Sequence, residues 1–104
     1  MSVMLNFAMF PTDKGESVGP YVSRSLEVVD GSGVDYRFGP MGTAIEADDW
    51  DQALGVVKQC FEKMQADCAR IYCTITIDYR RGPTGRLTAK VKSVEGRLDR
   101  KLKK

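Results

Sequence analysis

Residues 37–46 run Arg37-Phe38-Gly39-Pro40-Met41-Gly42-Thr43-Ala44-Ile45-Glu46. The ends of this stretch are β-prone and the middle is not. Pro40 has no N–H to donate, and Gly39 and Gly42 weaken any ladder they enter, so Gly-Pro-Met-Gly must interrupt a regular strand. The stretch therefore reads as two strands joined by a tight turn. Before the turn Tyr36 and Phe38 point one way. After it Thr43, Ile45 and Ala47 alternate on a single face. A hairpin here, between two helical patterns, selects the fold.

Upstream, Val18, Tyr21, Val22, Leu26 and Val29 fall on one helical stripe. Ser17 is expected to cap that helix and Pro20 to sit in its first turn. Asp30-Gly31-Ser32-Gly33 ends it. Residues 3–10, VMLNFAMF, form a strand whose two faces are both largely apolar, and Pro11 to Glu16 break it. Downstream, Asp48 and Asp49 put acids at a helix start, where the macrodipole favours them. Trp50, Ala53, Leu54, Val57, Phe61 and Met64 supply the stripe that should face the core. Residues 70–80, RIYCTITIDYR, are strongly β-prone. Ile71, Cys73, Ile75, Ile77 and Tyr79 are expected to face the core, with Tyr72, Thr74, Thr76 and Asp78 opposite. Gly82-Pro83-Thr84-Gly85 turns the chain into a last helix carrying Leu87, Val91, Val94 and Leu98.

The order β-α-β-β-α-β plus a terminal helix is an α+β, ferredoxin-like arrangement. It predicts a four-stranded antiparallel sheet with two helices on one face and the first and last long strands in the centre. The other face then carries Met4, Ala8, Phe10, Tyr72 and several threonines, too apolar for plain solvent. A second sheet, or a partner's terminal helix, is expected to cover it, which predicts a homo-oligomer.

Composition narrows the function classes. The 104 residues fit a single domain over 1–100, with a basic tail at 101–104. The chain has no histidine, which removes the commonest general base and zinc ligand. Its three cysteines match no zinc or redox spacing and read as reduced thiols in a cytoplasm, Cys73 in the core. No apolar run is long enough to span a bilayer. The N-terminus lacks the marks of an export signal. Residues 1–79 carry a net charge of −6 and residues 80–104 a net charge of +8. No aromatic residue follows Tyr79 to stack on a base, so the basic end reads as a solvated helix face and not a nucleic-acid surface. No metal-ligand set is present, and Gly-Pro-Thr-Gly at 82–85 is not a phosphate loop because no Gly-Lys-Ser/Thr follows.

Four segments are distinctive: MFPTDKGES, YRFGPMGTAIEAD, IDYRRG and KVKSVEGRL. Together, in order and over nearly the whole chain, they resemble the MTH1187/YkoF-like thiamine-binding family, a group of the formerly uncharacterised UPF0045 type. The resemblance implies a ferredoxin-like subunit assembled into a homodimer and then a homotetramer. It also implies a non-catalytic protein that binds thiamine or its hydroxymethylpyrimidine part as ligand, with no cofactor. An oligomeric interaction protein with no essential ligand is the alternative. An enzyme finds thin support, because Glu46 and Asp78 are the only carboxylates expected near a cleft.

A thiamine-like ligand is a flat cation with a hydrogen-bonding pyrimidine edge. It calls for aromatic faces, hydroxyls, a carboxylate and close backbone approach. Thr12, Ser17, Tyr36, Met41, Gly42, Thr43 and Glu46 are the candidates. Each has a structural alternative: Thr12 a turn residue, Ser17 a helix cap, Tyr36 a core ring, Thr43 a strand residue, Glu46 a surface or interface ion pair. Asp78 and Arg80 suit an interface ion pair.

Overall fold

The computed structural model describes residues 2–82 and 84–103. Met1, the turn residue Pro83 and the tail residue Lys104 lie outside the described residues. The elements are β1 (Ser2–Pro11), α1 (Gly19–Gly31), β2 (Asp35–Gly39), β3 (Gly42–Ala47), α2 (Trp50–Gln65), β4 (Ile71–Arg80) and α3 (Arg86–Leu98). They form one antiparallel sheet in the order β2-β3-β1-β4, the ferredoxin-like arrangement with an added helix. The expected centre needs correcting. β1 and β3 are the inner strands, and β4 is an edge. β1 pairs with β4 along its whole length, from Ser2 opposite Arg80 to Pro11 opposite Ile71. Its other side is taken by β3, so β4 has one strand neighbour.

The core lies between the sheet and α1 and α2. Val3, Leu5, Phe7 and Met9 of β1 meet Ile45 and Ala47 of β3, Val29 of α1, and Ala53, Val56, Val57, Cys60 and Met64 of α2. Alternation on β1 puts this set on one face, as period-two geometry requires. The buried stripe of α2 is rotated from the expected one, because Trp50, Leu54 and Phe61 lie at its exposed margin. Asp49 starts α2 by accepting from Gln52 N at 2.8 Å, while Gln52 Oε1 accepts from Asp48 N at 2.7 Å. This is a reciprocal cap.

α1 begins differently from expectation. Val18 occupies the cap position with no side-chain hydrogen bond, and Ser17 lies exposed before it. Proline explains why. A cap at Ser17 would place Pro20 third in the helix, where an N–H is needed and none exists.

β4 also departs from expectation. Its core-side residues point the predicted way, since Ile75 lies opposite Phe7 and Ile77 opposite Leu5. Yet α1 and α2 pack over β1 and β3 and leave the edge uncovered. Only Ile71 and Ile77 are half-buried; Ile75, Tyr79 and Cys73 are exposed. The thiol expected in the core is at the surface.

The opposite face is covered in part by the chain's own terminal helix. α3 packs on β3 and β2, and its Leu87 and Val91 line a cavity together with Met4, Asn6, Ala44 and Thr76 of this face. The start of α3 is pinned by Arg86, which is buried. Its Nε donates to Ser2 Oγ at 3.0 Å, and its Nη2 donates to Ser2 O at 2.9 Å and Asp78 O at 2.8 Å. Its Nη1 lies 3.4 Å from Asp78 Oδ2, so Asp78 is paired within the chain. Arg37 Nη2 donates to Thr88 Oγ1 at 2.9 Å. Farther along, Val94 and Leu98 are exposed, as are Phe10 and Tyr72 at the other end of the same face.

Candidate functional site

The β2–β3 turn decides the site. Gly39 pairs with Gly42, which leaves Pro40 and Met41 as a two-residue loop. Gly42 is required by space: a Cβ there would lie 3.0 Å from Phe7 O and 3.1 Å from Asn6 Nδ2, at a φ of +157°. The backbone of β1 therefore passes directly beneath the turn.

That close approach builds one wall of a cavity of about 400 Å³. The turn residues 39–42 and Phe38 form this wall. The end of β1 (Phe7, Met9, Phe10) forms the floor, α1 (Val18, Val22, Ser25, Leu26) the second wall, and Tyr72 and Thr74 of β4 the rim. The volume falls in the range of about 300–1,000 Å³ usual for small-molecule pockets. Phe10 and Tyr72 stand with ring centroids 5.7 Å apart, tilted by 43°. Phe38 is 60% exposed and Met41 87%, so the mouth is aromatic and apolar. Among the described residues no charged side chain lines the cavity. Its side-chain polar groups are hydroxyls, of which Ser25 and Thr43 are buried, at 2% and 3% exposure.

Of the sequence candidates, Met41, Gly42 and Thr43 line this cavity. The other four do not come together with them. Thr12 and Ser17 are exposed in the β1–α1 loop, which is stapled to the α2–β4 loop. There Thr12 N donates to Arg70 O at 2.8 Å, and Asp13 accepts from Ala69 N at 2.8 Å. The Ala69 N–H holds the Asp13 carboxyl below its ordinary value. Tyr36 packs half-buried against the core and donates its hydroxyl to Asp30 Oδ1 at 2.8 Å, which raises its pKa. Glu46 is at the far end of the sheet, opposite Met4 and Asp35. Its Oε1 accepts from Leu87 N at 3.3 Å, so it serves the helix whose own cap residue is Gly85. Burial pushes the Glu46 carboxyl upward, but the first backbone N–H groups of α3 and the Ser2 hydroxyl outweigh it and hold the pKa low.

Alongside Phe10, Phe38 and Tyr72, Ser25 is a cavity residue that the sequence reading missed. It stands between Tyr21 and Val29 at four-residue spacing, on the stripe that enters the core. A serine in such a position was the available signal, since a polar residue on an apolar stripe is either satisfied or used.

Comparison with known proteins follows the same outline. The family described as thiamine-binding protein matches residues 5–95. A UPF0045 protein of Mycobacterium bovis, Mb1933, is 37% identical over 95 residues, covering 91% of this chain and 93% of that one. A UPF0045 protein of Methanothermobacter thermautotrophicus is 36% identical over 83 residues, 79% of this chain and 84% of its own length. Among solved structures, hypothetical protein MJ1052 of Methanocaldococcus jannaschii superposes with a TM-score of 0.81 at 27% identity, covering 89% of this chain and 95% of that one. The Thermotoga maritima protein TM0486 shares the fold, with a TM-score of 0.76 at 21% identity over 90% of this chain and 99% of its own. With its profile matched from β1 to α3 and its fold shared, the chain belongs to the thiamine-binding protein family.

Proposed function

We propose that this protein is a non-catalytic small-molecule binding protein whose ligand is thiamine or its hydroxymethylpyrimidine part, held in the cavity under the β2–β3 turn. The carrying observation is the match to the thiamine-binding family over residues 5–95. TM0486, which shares the fold, is described as a candidate thiamine biosynthesis/salvage protein. The cavity's chemistry agrees with such a ligand. Phe38, Phe10 and Tyr72 offer π-faces to a thiazolium cation, and Thr43 offers a hydroxyl to a pyrimidine edge. Glu46 and Asp78, the carboxylates expected near a cleft, are instead engaged with α3. This favours binding over acid–base catalysis.

Self-association belongs to the same proposal. Ile75 and Tyr79 on the β4 edge, and Val94 and Leu98 on α3, leave apolar side chains in water. The radius of gyration is 15.0 Å, against about 13 Å for a compact chain of this length. Such an extended outline suits a subunit whose outlying surfaces are shared with a second copy.

The test is Thr43→Val, which keeps the shape of a buried side chain and removes its hydroxyl. Calorimetry should show thiamine binding weakened about tenfold, the loss of one hydrogen bond to a buried group, with assembly unchanged by sedimentation. Equal affinities would rule out Thr43 as a contact.

A further inference from the structure

We infer that Ser25 is the specificity-determining hydroxyl of this cavity and that the site selects an unphosphorylated nitrogen heterocycle. The inference rests on the small-molecule reading above and goes beyond it by naming the group that recognises the ligand and the ligands that are refused.

Ser25 lies on α1, and its Oγ is buried with no hydrogen-bond partner among the described residues. A serine inside a helix ordinarily returns its proton to a carbonyl one turn back, as Ser23 Oγ does to Gly19 O at 2.9 Å. Ser25 does not. Its backbone carbonyl, in contrast, is used: Cys60 Sγ donates to Ser25 O at 3.4 Å, so the main chain here is fixed against α2. Burial pushes the Cys60 thiol up to about 11, and the nearby Ser25 side chain offsets this only in part, so the neighbouring sulfur stays protonated and brings no charge to the wall. A buried hydroxyl without a partner weakens the folded state, and alanine would fill the same place on the stripe. Its position at the cavity wall supplies the use that α1 does not.

The other walls define what that hydroxyl can meet. Thr43, also buried, contributes a second hydroxyl from β3. A hydroxyl donates to a ring nitrogen or accepts from an exocyclic amine. It cannot neutralise a phosphate, and this wall holds no lysine or arginine among the described residues. A phosphate entering here would lose its water without gaining a counter-charge. The chemistry fits a flat ring with a donor–acceptor edge, neutral or with a delocalised positive charge, and excludes its phosphate esters.

The experiment is calorimetric titration of the full chain and of Ser25→Ala with three probes: 4-amino-5-hydroxymethyl-2-methylpyrimidine, thiamine and thiamine diphosphate. The melting temperature of each unliganded protein is read alongside. The wild type should bind the first two and hold the diphosphate at least about tenfold more weakly. Ser25→Ala should bind the pyrimidine about tenfold more weakly, yet melt at the same temperature or higher, because the hydroxyl it loses was unpartnered. A merely structural serine would show the reverse, with a lower melting temperature and an unchanged affinity, and that result overturns the inference. So does a diphosphate bound as tightly as thiamine. A wild type that binds none of the three probes removes the small-molecule reading itself, an outcome distinct from binding that ignores Ser25.

Discussion

At the scale of single residues, Gly42 carries the most constraint. Its missing Cβ lets the β2–β3 turn rest on the backbone of β1, with Phe7 O only 3.0 Å from where a methyl group would stand. Neither the carbonyl nor the strand behind it can retreat without breaking the pairing of Phe7 with Thr43. Gly42→Ala should therefore cost about 2 kcal/mol of stability, read as a lowered denaturant midpoint. It should also close the cavity wall and weaken ligand binding. The residue scale is also where sequence reading reached its limit. Met41, Gly42 and Thr43, which line the candidate cavity, could be singled out because a turn of that composition brings backbone and hydroxyl together. Ser25 could not, because a helical stripe read by hydrophobicity passes over a serine. Whether that serine is satisfied depends on neighbours that only the packed structure supplies.

At the scale of elements, α3 is the informative case. Its apolar stripe was legible in the sequence, but its landing place was not, since Arg86 reaches Ser2 across most of the chain as well as the nearby Asp78. α3 begins at Gly85, which has no side chain to cap with, and Glu46 of β3 supplies the missing acceptor. The Glu46 carboxyl is held below its ordinary value of 4.5. A group whose pKa is lowered on folding stabilises the fold above its unfolded value and loses that contribution as pH falls through the folded one. Protection of the α3 amides against hydrogen exchange, taken relative to the intrinsic rate at each pH, should thus fall as pH drops below about 4.5. Glu46→Gln should abolish that pH dependence and cost roughly 0.5–1 kcal/mol at neutral pH, the worth of an anion at a helix start. An unaltered acid response in the variant would show that the carboxylate does not govern the docking of α3. The start of α1 is a second case at this scale. A capping residue in the sequence was overruled by a proline whose missing N–H falls at the wrong position.

At the scale of the whole molecule, the ferredoxin-like order followed from the alternation of helical and strand patterns around one turn. The position of β4 did not. A long apolar strand reads as central, and RIYCTITIDYR satisfies that pattern. The sheet nevertheless places it at an edge because β1 already has β3 on its other side. Its apolar content then suits a surface that a second copy would bury. Ile75→Lys places a charge on that edge, a common means by which proteins keep sheet edges apart. With Ile75 41% exposed in the single chain, folding stability should change by no more than about 0.5 kcal/mol. The sedimentation coefficient should fall toward that of a monomer if β4 forms the proposed contact. An unchanged coefficient would place any association elsewhere.

The tie between Ser2 and Arg86 also dictates when the protein can be finished during its synthesis. The strand made first sits in the middle of the sheet, yet one whole side of it waits for residues 71–80, and its opening residue waits for the start of α3. Before residues 71–80 emerge, the nascent chain can close the β2–β3 hairpin and its helices and pair β1 with β3, but the other side of β1 stays open. The sheet's long-range zipper must form late, after most of the polypeptide has left the ribosome, so this small domain should fold slowly for its size.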